Sequence, residues 1–277
     1  MKASAGGIAI SVDVRGSGQP LLLLHGFTGS KATWAPFLDR WSQRYQTIAV
    51  DLVGHGETEA PDAVDLYTME AAANQLASLL SHLKVSKAHV LGYSMGGRLA
   101  LYLAIYRPEL VANVLLESAS PGLSAAGDRF DRIRRDEALA DSIIADGVAA
   151  FVRQWEKQPL FASQSSLPAE AKLRLEKERL SQTPLGLANS LRGMGTGRQP
   201  SLWEKLNICR SPVWLVAGEL DTKFTEIADR MAERLPNAEK IIVKGAGHAV
   251  HLEKPEIFGK IVYEDFFHHV VERVDEI

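Results

Sequence analysis

KAHVLGYSMGGRLALYLA, residues 87–104, is the stretch from which the rest of the chain can be placed. Its first part is an apolar run at 88–91, broken only by His89. Its last part is dense in Leu99, Leu101, Leu103 and Ala104, enough for a buried helix. Between them Gly92-Tyr93-Ser94-Met95-Gly96 fits G-x-S-x-G, a nucleophile elbow. The spacing has a steric cause. The turn from strand to helix is so sharp that the serine takes a strained backbone conformation, and side chains two residues to either side would collide. An ordinary strand–glycine turn–helix with a bystander serine has the same local letters. The weight of the motif therefore comes from its context.

Outward from this stretch, strands and helices alternate. Residues 8–14 (IAISVDV) alternate apolar and polar, as a half-buried edge strand would. Pro20 opens LLLLHGF, a continuous apolar run suited to a strand covered on both faces. It ends in a glycine-rich loop, 25–30, that can aim backbone N–H groups at a ligand. A short helix is expected over 33–42 and a strand over 46–52. A longer helix lies within 65–84, with Thr68 as its N-cap, and another strand over 111–117. This alternation is the signature of a parallel sheet with helices on both faces, an α/β fold.

The rhythm breaks at residue 118. Through residue 200 no buried strand stands out, and the segment reads as helical and amphipathic. We expect an inserted helical cap at 118–200, with the core formed by 1–117 and 201–277. The insertion holds twelve Lys/Arg against ten Asp/Glu, while the whole chain carries a net charge of −3. Most of those charges suit solvated helix faces. Strands return at 213–217 and 238–243, separated by a helix over 224–235. A final helix begins near Pro255.

The bulk composition narrows the class. With 277 residues, 46% hydrophobic and 23% charged, the chain can bury one large core. The slightly negative charge gives no reason to expect nucleic acid or an anionic membrane as partner. The single cysteine, Cys209, allows no intramolecular disulfide and suits a reducing compartment. MKASAGGIAI lacks a long apolar core, so no secretory signal is expected, and the aliphatic run 21–24 is too short to span a bilayer. A cytoplasmic monomer without a cofactor is the expectation.

Three residues carry the chemistry. Asp221 stands just past one expected strand and His248 just past the next, and Ser94 follows a third. Sites in open parallel sheets form outside the carboxyl ends of the strands, so all three can converge. His248 would take the Ser94 proton, and Asp221 would fix the imidazole. The backbone N–H groups of Met95 and Phe27 would form an oxyanion hole. Asp51 also ends a strand but precedes Ser94, so Asp221 is the better acid. His25 reads as structural and holds the glycine loop. The role of His55 stays open. His251, His268 and His269 read as surface or packing residues. No Cys/His cluster has metal-ligand spacing.

These motifs resemble the α/β-hydrolase superfamily over almost the whole chain. LHGFTGSKATW (24–34), DLVGHGET (51–58), GYSMGGRLA (92–100), GELDTKF (218–224) and GAGHAVHLEKP (245–255) occur broadly in it. ESASPGL (117–123), WEKQPLFAS (155–163) and GLANSLRGMGTGRQPSLW (186–203) resemble one branch, the 2-succinyl-6-hydroxy-2,4-cyclohexadiene-1-carboxylate synthases of menaquinone (vitamin K2) biosynthesis. Leu220 departs from that pattern, where a charged residue is expected before the acid.

The resemblance implies a lyase. A base removes a ring proton from 2-succinyl-5-enolpyruvyl-6-hydroxy-3-cyclohexene-1-carboxylate, and pyruvate leaves by 2,5-elimination. Three substrate carboxylates would explain cap arginines, and the resemblance selects Arg98, Arg132 and Arg179. Arg98 has separate support. It lies at i+4 from Ser94, on the same helix face, where a bare guanidinium is costly unless it meets an anion. A salt bridge to Asp128 or Asp131 would serve as well. The resemblance adds Tyr93 and Trp155 as groups lining the pocket, though Trp155 also suits a cap core. The alternative function is a serine hydrolase acting on an ester, thioester or C–C bond of a small anion. A non-catalytic binder is a third reading, disfavoured by the intact triad.

Overall fold

The computed structural model describes residues 1–266; His268 and His269 lie outside them. The described strands are β1 (Lys2–Ala5), β2 (Ile8–Arg15), β3 (Gln19–Leu24), β4 (Tyr45–Val50), β5 (Ala88–Tyr93), β6 (Val111–Glu117), β7 (Val213–Gly218) and β8 (Ala238–Val243). They form one sheet in the order β1-β2-β4-β3-β5-β6-β7-β8. β1 and β2 pair antiparallel, β2 runs antiparallel to β4, and every later pairing is parallel. One expectation fails here. Residues 8–14 are not the edge, because β1 pairs along the outside of β2. The turn between them uses Gly6 and Gly7, both at positive φ, which glycine adopts without penalty.

β3 shows why the sheet is central. Leu21, Leu22, Leu23 and Leu24 are all fully buried. Leu22 and Leu24 join the apolar layer under α2 (Met69–His82) and α3 (Met95–Tyr106). Leu21 and Leu23 join the opposite layer, with Trp34, Trp41 and Phe258. The period-two alternation therefore feeds two cores from one strand. Each such leucine contributes roughly 1.5–3 kcal/mol by burial.

Between β6 and β7 the described chain is helical. It contains α4 (Ala126–Trp155), α5 (Ala169–Leu180) and α6 (Pro184–Met194). α4 is broken at Gly147, whose φ of 80° no other residue would adopt cheaply. α4 and α6 enclose a third core of Ala140, Ile143, Phe151, Leu187 and Leu191. The excursion leaves and returns at one point. The Leu202 N–H donates to the Pro121 carbonyl at 2.8 Å, and the Trp203 indole N–H to the Gly122 carbonyl at 2.9 Å.

Helix starts follow capping chemistry. The Thr68 hydroxyl accepts from the Ala71 N–H at 3.2 Å, as expected, and α2 begins at Met69. The expected helix over 33–42 is a 3₁₀ turn, Lys31–Trp34, followed by α1 (Ala35–Trp41). The helix expected from Phe224 starts earlier, as α7 (Thr222–Ala232), because Asp221 caps it. Among the described residues no helix is long and apolar enough to cross a membrane.

Candidate active site

Ser94 ends β5 and opens α3 with φ 49° and ψ −102°, a conformation a non-glycine residue takes only under constraint. The constraint is visible. Its N–H donates to the Glu117 carbonyl at 2.8 Å, and its carbonyl accepts from the Arg98 N–H at 3.0 Å. A Cβ on Gly92 would run into the backbone of Gly96 and Gly97, and one on Gly96 into the carbonyls of Leu24 and His25. The glycines thus let helix α3 press against the ends of β3 and β5.

The three dispersed residues meet. His248 Nδ1–H donates to Asp221 Oδ2 at 2.7 Å, and Ser94 Oγ lies 3.2 Å from His248 Nε2. Asp221 and His248 are both buried. The second Asp221 oxygen accepts the Phe224 N–H at 3.3 Å, so this carboxylate also caps α7. Phe224, Tyr93 and Phe161 surround the imidazole at ring distances of 4.7, 5.5 and 6.2 Å. Leu220, where the family pattern departs, is exposed and leaves this geometry untouched.

The loop after β3 is held from below. His25 Nδ1–H donates to the Gly26 carbonyl at 2.7 Å, and its Nε2 accepts the Leu52 N–H at 3.0 Å. That pair of bonds fixes a neutral imidazole, and burial lowers its pKa. The Gly96 N–H donates to the His25 carbonyl, tying loop to elbow. His25 is structural, as its position beside the glycine loop suggested. The N–H groups of Phe27 and Met95 find no protein acceptor among the described residues. Both residues line the cavity beside Ser94. His55 packs its ring 5.1 Å from His25, and burial, with the neighbouring imidazole, lowers its pKa to about 3.

Above the triad lies a cavity of about 470 Å³. Of the arginines on the helical excursion, Arg132 and Arg179 line it, whereas Arg129, Arg134, Arg135 and Arg174 do not. Arg98 rises into it from α3. Its guanidinium donates to the Met194 carbonyl at 2.8 Å and to Gln199 Oε1 at 2.7 Å, and no carboxylate pairs with it among the described residues. The alternative, a bridge to Asp128 or Asp131, is not made. Burial, then the facing Arg132 charge, pull Arg98 down to about 9. Arg132 pairs with Asp136 at 2.8 Å. Arg179 pairs with Glu156 at 2.9 Å and lies over the Phe161 ring. Trp155 packs edge-on to Phe27 at 5.4 Å, so it both lines the cavity and belongs to the upper core.

Several participants escaped the sequence reading. Phe161 bridges His248 and Arg179. Gln199 orients Arg98. Glu117, fully buried, accepts both the backbone and the Nδ1 hydrogen of His251, at 2.9 and 2.8 Å. His251 is therefore a packing residue behind Tyr93. No motif announces these contacts, because each joins distant segments through a side chain.

Known proteins resemble this chain in sequence and fold. Residues 19–255 match the family described as alpha/beta hydrolase fold. A Bacillus subtilis (strain 168) protein, provisionally named 2-succinyl-6-hydroxy-2,4-cyclohexadiene-1-carboxylate synthase, is 45% identical over 92% of this chain and 93% of its own. A Serratia proteamaculans protein of the same name is 29% identical over 86% of this chain and 89% of its own. The solved structure of MenH from S. aureus superposes with a TM-score of 0.87 at 34% identity, covering 91% of this chain and 96% of that one. The chain belongs to the α/β-hydrolase fold family and, within it, to the family of 2-succinyl-6-hydroxy-2,4-cyclohexadiene-1-carboxylate synthases.

Proposed function

We propose that the protein is the pyruvate-eliminating lyase its relatives are named for. Ser94 Oγ, its own proton drawn toward His248 Nε2, removes the ring proton beside the succinyl carbonyl of 2-succinyl-5-enolpyruvyl-6-hydroxy-3-cyclohexene-1-carboxylate. The electron pair shifts through the ring double bond, and the C–O bond to the enolpyruvyl group breaks. The diene and the enolate of pyruvate result, and the enolate takes up the proton that His248 has received to become pyruvate. Asp221 holds the imidazole tautomer and stabilises its charged form. The Phe27 and Met95 N–H groups receive the charge that develops on the succinyl oxygen, and losing one such donor typically costs about 10²–10³ in rate.

The observation that carries this reading is Arg98. A guanidinium one turn beyond the serine, facing the cavity without a carboxylate partner, favours an anionic ligand. Arg132 and Arg179 would supply further carboxylate contacts, with Tyr93 and Trp155 as walls. Residues 118–200 act as the cap, and the pinned exit and return at Pro121 and Leu202 supports that division. We take the enzyme as a cytoplasmic monomer acting on a small tricarboxylate, with no nucleic-acid or membrane partner. The single cysteine and the net charge of −3 suit that.

Incubation with the enolpyruvyl substrate, with pyruvate followed by lactate dehydrogenase, tests the reading. Stoichiometric pyruvate from the wild type and none from Ser94→Ala is the expected result. Ester or thioester turnover without pyruvate release would favour the hydrolase instead, because the same triad serves both chemistries.

A further inference from the structure

Glu178 on α5 is a carboxylate, like Asp128, Asp136 and Glu226, in a cavity that also collects guanidinium groups. It lines the same space as Arg98, Arg132 and Arg179. A free carboxylate there would repel a multiply anionic substrate. Its Oε1, however, is already committed. It accepts the Ser30 N–H at 2.8 Å, the Ser30 hydroxyl at 2.7 Å and the Thr33 hydroxyl at 2.7 Å. The direction is fixed, since Ser30 Oγ accepts the Ala32 N–H at 3.1 Å and so turns its own proton to Glu178.

Just past the C-terminal end of α5, Gln182 continues the grip. Its Nε2 donates to the Gly29 carbonyl at 3.2 Å, and its Oε1 accepts the Gly56 N–H at 3.0 Å. Helix α5 thus clasps the loop that carries the Phe27 N–H. That loop needs an external hold. Thr28, the residue after Phe27, sits at φ 70°, where a threonine stays only when its surroundings impose it. Arg179 lies next to Glu178 on the same helix, with its guanidinium over Phe161 at the cavity wall.

We propose that Glu178 is a positioning residue for the oxyanion hole: by holding Ser30 and Thr33 it sets the Phe27 N–H. The inference rests on the site reading above. It separates two effects on one helix. Arg179 governs substrate binding, and Glu178 governs the rate once substrate is bound.

The test uses Glu178→Gln, the Ser30→Ala/Thr33→Ala pair and their combination, with Glu176→Gln on the exposed face of α5 as control. Displacing a catalytic donor by an ångström costs up to about 10²-fold, so kcat for pyruvate release should fall at least about tenfold in Glu178→Gln with KM within about twofold. The combined variant should be no slower than the worse of its parents. Phosphonylation of Ser94 by a fluorophosphonate, which uses the same hole but not the natural substrate, should slow in parallel. Should Glu178→Gln fail to fold, the Ser30→Ala/Thr33→Ala pair, which leaves α5 intact, carries the same expectation. A kcat within twofold of wild type, or losses that multiply in the combination, overturns the inference while leaving the reaction standing. A wild type that neither releases pyruvate nor reacts with the probe removes the site reading and this inference together.

Discussion

Arg98 is held by two neutral acceptors, the Met194 carbonyl and Gln199, rather than by an acid. These orient the guanidinium without cancelling its charge, so it stays available to a carboxylate. Arg98→Ala should raise KM and lower kcat/KM by roughly 10–100-fold, the value of a charge-assisted hydrogen bond of about 1.5–3 kcal/mol. Arg98→Lys should recover little, because a point charge cannot form the two-bond fork. Steady-state kinetics on pyruvate release decide it; an unchanged kcat/KM in Arg98→Ala would remove the clamp. At this scale the sequence was legible where chemistry sits in short motifs. Ser94, Asp221 and His248 each follow a strand, so their meeting could be read. The partners of Arg132 and Arg179 could not. They depend on how long side chains from α4, α5 and the segment between them settle. The Glu117–His251 pair joins residues 134 apart, with nothing local to mark it.

Among the elements, legibility followed apolar density. β3 carries a continuous hydrophobic run and β5 one broken only by His89, and the turns bound β6 and β8 to the residue. β1 was missed because Lys-Ala-Ser-Ala has little strand propensity of its own; its pairing with β2 makes it a strand. The apolar pattern alone starts α7 two residues late, because its first turn is set by the Asp221 cap and not by hydrophobic residues. α2 was placed correctly by Thr68, and that cap is testable. Thr68→Ala should cost about 1 kcal/mol and lower Tm by about 2 °C in a chain of this size, with kcat unchanged. Thermal unfolding measures it, and a Tm equal to wild type would mean that packing, not the cap, holds that end of the helix.

In the molecule as a whole, buried imidazoles link folding to pH. His55 is fully buried, and its pKa falls from the ordinary range to about 3; burial also lowers His25. The unfolded chain protonates such a histidine near pH 6.5, whereas the folded chain resists down to about pH 3 for His55. The unfolded state therefore binds more protons in that window. Stability is full above about pH 6.5 and declines as the pH falls toward 3, by up to about 1.4 kcal/mol per pH unit for each such group. Urea unfolding between pH 7 and 4 should show this decline, and His55→Asn should flatten it; identical slopes would refute the assignment.

The carboxylate of Asp221 answers to two structures at once, the imidazole through one oxygen and the start of α7 through the other. Removing it by alanine scanning would therefore blend a lost turnover with a loosened helix, and overstate its share in the chemistry. An asparagine is the sharper probe, because it has a single acceptor for which helix and histidine must compete. Whichever of them wins leaves the other visibly short of a partner.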